Sequence, residues 1–370
     1  MEEYNSLNVF SNGRKVGTLA LYRNMLCAFE YSGEWIADGY TISPYSLPLR
    51  KQVYLPKYDP FDGLFGVFCD SLPDGWGRLL VDRMLLSKGI RPDRLSALDR
   101  LAIVGSTGMG ALEYRPEYGL MSSAQIRDYD SYAAECRKML ETDYSSDLDT
   151  LFALGGSSGG ARPKIMTKID GEDWIIKFPS SSDSPEIGRM EYEYNLCAGK
   201  CGIEVPKIRL FESKKCSGYF GCRRFDKNQK KRIHMASVSG LLEVSHRVPA
   251  LDYDSLHKLT LNLTKDYEEV WKMFRLMCFN IFAHNRDDHS RNFSFLFDGG
   301  RWTLSPAYDL TYSNSIGGEH ATSVNGNGRD PGLKEIMEIA GKIMLPYTEA
   351  RENAEEIREI VENDLAEWLR

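Results

Sequence analysis

Nothing in the sequence approaches the roughly eighteen consecutive apolar residues that a membrane-spanning helix requires, so no membrane association is expected. There is no excess of basic charge. The 46 Lys and Arg against 53 Asp and Glu leave a formal net charge of −7. This excludes DNA binding through the whole surface and leaves room only for a local basic patch. There is no Cys-x-x-Cys pair. The 8 cysteines are scattered over 370 residues, as free buried thiols are in cytoplasmic proteins. A zinc site from Cys197, Cys201, Cys216 and Cys222 would need a helix position and a hairpin position to converge. Internal repeats and low-complexity tracts are absent. The opening MEEYNSLNVF is acidic and polar, unlike a secretory signal, and a cytoplasmic location is the expectation.

What is present begins with short β-structure. LNVFSNGRKVGTLAL has two apolar runs around Asn12-Gly13, a hairpin signal. MLCAFEY reads as a third strand. DSLPDGWGRLLVDRMLLSKG reads as a turn, then a helix with Leu79, Leu80, Met84 and Leu85 near helical spacing. RLAIVGSTGMGALEYRPE reads as strand–turn–strand. A polar stretch over 116–150 carries one helix and a domain boundary. From 151 the pattern changes: LFALGGSSGGARPKIMTKIDGEDWIIKF is a Gly/Ser-rich loop and two strands around Asp170-Gly171. Residues 185–201 read as a helix, and VPKIRLFE and YFGCRRFD as strands. A buried helix, EEVWKMFRLMCFNIFAHN, runs into the polar cluster HNRDDHSRNFSF. Two amphipathic helices fill 333–370.

The polar cluster carries the chemistry. Asp287 precedes Asn292 by five residues, the Asp-to-Asn step of a protein-kinase catalytic loop. There the Asp accepts the proton of the attacking hydroxyl and the Asn holds Mg²⁺. After a short hairpin, FSFLFDGGRWTLS, comes Asp309 in PAYDL. Phosphoryl transfer needs a carboxylate and an amide on Mg²⁺ and a base toward the acceptor. Upstream, GGSSGGARPK offers glycines for close approach to anionic oxygens, with Arg162 and Lys164. It is neither G-x-G-x-x-G nor a Walker A loop. Lys177 ends the strand DWIIKF, on which Trp174, Ile176 and Phe178 face one side and Ile175 and Lys177 the other. The next helix offers Glu186, Glu191 or Glu193 as its ion-pair partner. Each feature has a bland reading: a flexible turn, a solvated lysine, a polar loop. A two-His carboxylate metal site from His284, Asp287, Asp288 and His289 is a further alternative, although Arg286 and Arg291 would repel a divalent ion. Order along the chain favours the kinase reading.

Together, GGSSGGARPK, DWIIKF, RMEYEYNLCAGKCGIEVP, RRFD, RIHM, NRDDHSRNFSF and LSPAYDL resemble the HipA family of bacterial serine/threonine kinases, toxins of type II toxin–antitoxin systems. NGRKVGTL, YTISPYSLPL, DSLPDGWGR and GSTGMGALEY extend the resemblance to that family's N-terminal domain. The resemblance implies Asp287 as catalytic base and Asn292 and Asp309 as Mg²⁺ ligands. It implies Lys177 on the ATP phosphates, with Glu191 as its partner carboxylate. Gly159, Gly160, Ala161, Arg162, Lys164, His289 and Tyr308 join the ATP site, with Arg223 to Phe225 at the hinge beside the adenine. It further implies autophosphorylation at Ser157 or Ser158, which would eject the loop. A phosphoserine brings about two negative charges into a loop built for phosphate. The sequence departs from the family at GARPK, at Asp288, and at Leu310-Thr311 after the last Asp.

The expected fold is α+β: a protein-kinase-like bilobal fold with a β-rich N-lobe over 151–226 and a helical C-lobe over 227–370. A HipA-type N-terminal α/β domain over 1–115 and a connecting segment over 116–150 precede it. The implied cofactors are ATP and Mg²⁺. The implied partners are a helix-turn-helix, HipB-like antitoxin and a protein substrate such as an aminoacyl-tRNA synthetase, with DNA reached only through the antitoxin. The rival readings are a small-molecule kinase, a metal hydrolase, and a catalytically weak corepressor within an antitoxin–DNA complex.

Overall fold

A computed structural model of the chain describes residues 4–23, 25–119, 128–142, 145, 147–228 and 231–369. Part of the connecting segment expected over 116–150 therefore lies outside the described residues. The chain packs as two compact units. One takes in the chain up to Gly188 with Arg209–Ala236 and Gly240–Glu243. The other comprises Arg189–Ile208, Ser237–Ser239 and Val244–Arg370.

In the first unit, β1 (Ser6–Ser11) and β2 (Arg14–Tyr22) form the hairpin expected from Asn12-Gly13. Both turn residues are left-handed, with φ of 49° and 80°, as a two-residue hairpin turn requires. β3 (Leu26–Tyr31) continues the sheet. After α1 (Gly33–Asp38), β4 (Val53–Tyr54) adds its far edge, and β5 (Leu112–Arg115) pairs with β1. The strand order is β4-β3-β2-β1-β5, antiparallel throughout. The helices between are α2 (Gly66–Cys69), α3 (Gly75–Ser87) and α4 (Ala97–Val104).

α4 corrects the strand expected at RLAIV. Ser96 accepts the Asp99 N–H and Asp99 caps back onto Ser96, a complete capping box. The apolar run that reads as a strand is buried all round, with Leu98, Leu101, Ala102, Ile103 and Val104 all inside. Periodicity alone does not separate a buried helix from a buried strand in so short a run.

α5 (Tyr129–Thr142) and α6 (Leu148–Gly155) follow. α6 is a second correction, since the expected Gly/Ser-rich loop begins with a helix over LFALG. Beyond it, β6 (Lys164–Ile169) and β7 (Glu172–Lys177) pair around Asp170-Gly171. The chain then enters α7 (Ile187–Lys200), nearly all of which belongs to the second unit, before β8 (Ile208–Phe211) and β9 (Tyr219–Arg223) complete a four-stranded sheet, β6-β7-β9-β8. Trp76 and Leu80 of α3 share one apolar core with Phe152 of α6 and with Ile165, Trp174 and Ile176 of this sheet. The amino-terminal segment thus packs directly on the sheet that carries the Gly-rich loop. β10 (His234–Ser237) and α8 (Val238–Leu242) follow.

The second unit is mainly helical. β11 (Leu251–Asp252) leads into α9 (Tyr253–Thr264), then α10 (Tyr267–Phe282). Asp266 caps α10 by accepting the Glu268 N–H at 2.9 Å. Of the residues that helical spacing puts on its buried face, Val270, Phe274, Met277, Cys278 and Ile281 are buried, whereas Trp271 and Phe282 are half-buried. β12 (Ser294–Asp298) and β13 (Arg301–Leu304) form the expected hairpin. β14 (Thr322–Ser323) pairs in parallel with β11. α11 (Leu333–Lys342) and α12 (Tyr347–Asp364) are the two tail helices, and α12 packs on α10. Among the described residues, no helix is long and apolar enough to cross a membrane.

Each unit buries a neutral histidine with a single backbone partner. The His234 Nε2–H donates to the Ile42 carbonyl at 2.8 Å, and the His257 Nδ1–H to the Tyr253 carbonyl at 2.6 Å. Burial pushes both imidazoles down to about 4. The unfolded chain takes up these protons first, so folding stability should fall as pH drops from about 6.5 towards 4, by up to roughly 3 kcal/mol per histidine. The melting temperature should decline steadily from pH 7 to pH 4.5. A flat profile over that window would contradict the burial of neutral imidazoles.

Candidate functional site

The polar cluster of the second unit is built on a buried floor. α10 ends at Ala283, and His284 turns the chain with a φ of 50°. The helix has therefore stopped before Asp288, so His284 and Asp288 do not lie on one helix face. Burial and the adjacent Arg286 hold the His284 imidazole below its ordinary pKa. Asn285 donates Nδ2 to the Asn280 Oδ1 at 2.9 Å, and Asn280 donates Nδ2 to the Tyr253 hydroxyl at 3.0 Å. The Tyr253 hydroxyl in turn donates to the Asp288 Oδ2 at 2.9 Å. Burial, then the charge of Asp288, drives the Tyr253 phenol far above its ordinary pKa, which keeps it a donor. Asp288 also accepts from His320 Nδ1 at 2.9 Å and from the Thr322 N–H at 3.2 Å. The carboxylate is 1 % exposed, and these donors are what such burial demands.

Its neighbour does the opposite. The Asp287 side chain is 62 % exposed, with His289 Nε2 at 3.9 Å. The Asp287 main-chain carbonyl accepts Asn292 Nδ2 at 2.7 Å, and the Asn292 N–H donates to the His289 carbonyl at 2.8 Å. This orients the Asn292 carboxamide and leaves Oδ1 as its acceptor atom. The His289 ring lies beside His246, tilted by 58° with 5.5 Å between centroids.

The hairpin brings Asp309 back along this loop. The Tyr308 hydroxyl donates to the Arg291 carbonyl at 2.6 Å and accepts from the Ser294 hydroxyl at 2.6 Å. The Ser313 N–H donates to the His284 carbonyl at 3.0 Å. Residues 308–313 therefore run beside 284–291, with Asp309 held at a φ of 54°. A non-glycine residue in this region marks a conformation imposed by its surroundings. Asn292 and Asp309 supply an amide oxygen and a carboxylate, the hard oxygen donors that Mg²⁺ takes alongside water and phosphate. Among the described residues, no cluster of three or more His, Cys, Asp or Glu could hold a metal ion. The zinc and two-His alternatives therefore find no assembled ligand set there.

Of the three carboxylates offered as lysine partners, Glu193 is committed within its unit to Arg189 at 3.1 Å and to the Trp368 indole at 2.8 Å. Glu186 is half-buried, whereas Glu191 is 2 % exposed. Only Glu191 is buried deeply enough to require a partner.

The first unit holds the loop and the lysines. Lys177 is half-buried on β7, with its ammonium 5.6 Å from the Phe220 ring centroid. Trp174 and Ile176 point into the core, as their alternation implies. Lys164, opposite Lys177 in the ladder, is buried, while Arg162 pairs with Asp183 at 3.2 Å. In the loop, the Ser158 hydroxyl is fully buried and donates to the Gly155 carbonyl at 2.6 Å. Ser157 is half-buried, and its hydroxyl donates to the Thr107 carbonyl at 3.4 Å. Gly159 and Ala161 are exposed, and Gly160 lies between them at a φ of 84°. Past β9, Arg223 pairs with Glu172 at 2.8 Å and Phe225 is half-buried. Arg224 is committed to a buried pair with Asp226. Burial would raise the Asp226 carboxyl, but the Arg224 guanidinium, the Gly110 N–H and the charge of Arg232 together hold the group below its ordinary pKa. Arg224 and Arg232 also donate to carbonyls of the loop Ser106–Gly110, and Asp226 accepts the Gly110 N–H at 2.7 Å.

Comparison with known proteins matches residues 156–367 to the HipA-like C-terminal domain and residues 7–115 to the HipA N-terminal domain. The chain belongs to the HipA family. A relative named putative kinase Y4mE, from Sinorhizobium fredii, is 27% identical over 348 residues, which cover 82% of this chain and 76% of that protein. A Haemophilus influenzae protein named putative kinase is 24% identical over 180 residues, covering 42% of this chain and 52% of its own length. Among solved structures, HipA of Shewanella oneidensis MR-1, in a complex with HipB and its operator DNA, superposes with a TM-score of 0.70. That match is 16% identical and covers 98% of this chain and 90% of the other. The fold is thus the HipA one, with an N-terminal and a C-terminal HipA domain.

Sequence reading of this HipA-family chain missed the residues that support the site. Asp288, Tyr253 and His320 form its floor from three separate segments, and no local spacing links them. Asp74 is legible in the sequence only as a residue of the turn in DSLPDGWGR.

Proposed function

We propose that this chain is a Mg-ATP-dependent kinase that phosphorylates serine or threonine on a protein, itself included, and acts as the toxin of a HipA-type pair in the cytoplasm. The observation that carries this is the contrast between adjacent carboxylates. Asp288 is sunk among three donors, and this pins the backbone so that Asp287 stands in solvent beside Asn292. A general base needs that combination of fixed backbone and accessible carboxylate. Asp287 would accept the proton of the attacking hydroxyl. Asn292 and Asp309 would hold Mg²⁺, which when bound neutralises charge on the transferring phosphate. Lys177, with Glu191 as its partner, would hold the α- and β-phosphates. Gly159 to Lys164 would cradle the phosphates, with Tyr308, His289, Arg223 and Phe225 completing the nucleotide site. The names of two relatives, both putative kinases, support this reading.

The loop serines, Ser157 and Ser158, are the autophosphorylation positions under this reading. A HipB-like antitoxin is the proposed partner, since the Shewanella HipA is found with HipB on operator DNA. A net charge of −7 suits a chain that reaches DNA through that partner. The proposed substrate is another protein, with an aminoacyl-tRNA synthetase as the family's precedent.

Titration calorimetry tests the nucleotide step. ATP should bind the wild type at least about tenfold more tightly with Mg²⁺ than with chelator, and Asp309→Asn should lose that gain. Binding that ignores Mg²⁺ in both proteins would contradict the assignment of Asn292 and Asp309.

A further inference from the structure

We propose that Asp74, in the amino-terminal segment, is a positioning residue for the glycine-rich loop. The proposal rests on the kinase reading for its effect on ATP, but not for its effect on the loop.

Asp74 is the N-cap of α3, yet its carboxylate makes no capping bond to its own helix. An N-cap Asp ordinarily accepts the N–H of the second or third helical residue. Here it accepts the N–H of Gly160 instead. The Trp76 N–H, a first-turn donor with no acceptor inside its helix, donates to the Gly160 carbonyl at 3.0 Å. Both backbone polar groups of Gly160 are therefore held by the start of α3.

The two glycines around Trp76 make this approach possible. A Cβ on Gly75 would collide with the Gly160 carbonyl, and one on Gly77 with the Ser158 carbonyl. Gly75 also sits at a φ of 43°, where a side chain is disfavoured. The Asp-Gly-Trp-Gly order thus has one physical account. The Asp supplies an acceptor, the glycines admit the loop backbone, and the Trp both donates its N–H and anchors in the shared core.

Held this way, the loop keeps Ser158 buried and Gly160 in a left-handed turn. Gly160 is held by residues more than eighty positions earlier in the chain. The first segment thereby sets the geometry with which the loop meets phosphate.

Hydrogen exchange of the full-length chain without nucleotide, read by mass spectrometry, tests this. In Asp74→Ala, amides over 157–161 should exchange about tenfold faster, the loss of one charge-assisted hydrogen bond. Asp74→Asn keeps an oxygen acceptor and should restore most of the protection. Ser96→Ala removes the cap of α4 in the same unit and should leave the loop at wild-type exchange. The KM for ATP should rise about tenfold in Asp74→Ala with a smaller change in kcat. Unchanged loop exchange in Asp74→Ala, or an equal rise in Ser96→Ala, would overturn the proposal. So would a fall in KM, which would make Asp74 a competitor of phosphate rather than its positioner. Faster exchange in a chain whose wild type binds no ATP would support the loop contact and sink the kinase reading alone.

Discussion

Asp287→Asn is expected to lower phosphoryl transfer by about 10²–10⁴-fold while ATP binding persists. The side chain is 62 % exposed. The bond that shapes the loop uses the Asp287 main-chain carbonyl, which Asn292 holds at 2.7 Å. An asparagine preserves that carbonyl and the side-chain volume, and removes only the ability to take a proton. Loss of transfer in a protein that melts like wild type and still binds ATP would isolate the base. Retained transfer would remove Asp287 from that role.

The neighbouring position should behave in the opposite way. Asp288→Ala is expected to destabilise the second unit by about 3–5 kcal/mol, because it strands buried donors around the vacated carboxylate. Tyr253, His320 and the Thr322 N–H all lose their acceptor. Asp288→Asn retains one oxygen acceptor and should fall between wild type and Ala. A shift of this size is a large share of the roughly 5–15 kcal/mol that holds a domain together, and urea unfolding would reveal it. Transfer should fail as well, since the backbone under Asp287 loses its anchor. An Asp288→Ala protein within about 1 kcal/mol of wild type would contradict the buried network.

These two aspartates also mark what sequence reading can and cannot reach. Asp287, Asn292 and Asp309 lie in short segments whose spacing is fixed by one loop and one hairpin, so local pattern singles them out. Asp288 reads as a departure from the family, and only its three-dimensional partners explain it. Tyr253 opens α9 and His320 lies ahead of β14, and nothing in the sequence ties either to residue 288. The strands β1 to β3, β6 and β7 were legible because alternation and two-residue turns are local signals. The RLAIV segment was not, because four buried apolar residues in a row fit either period. Its capping box, Ser96 with Asp99, was the available cue.

The Gly-rich loop shows a second limit. Its composition suggests freedom, and taken alone it reads as a flexible turn. In the folded unit it is fastened by Asp74 and Trp76 from one side and by the Thr107 carbonyl through Ser157 from another. The glycines there serve close packing of backbones. A loop held at both polar groups of one glycine is better suited to precise work on an anion.

Peptide mass spectrometry of the purified wild-type chain after incubation with Mg-ATP, with Asp287→Asn as the blank, tests the central claim most directly. The account predicts phosphate on the peptide that carries Ser157 and Ser158 in the wild type and none in the variant. Phosphate on both proteins would contradict Asp287 as the base. Phosphate on neither, although both bind ATP, would contradict a protein kinase that acts on itself.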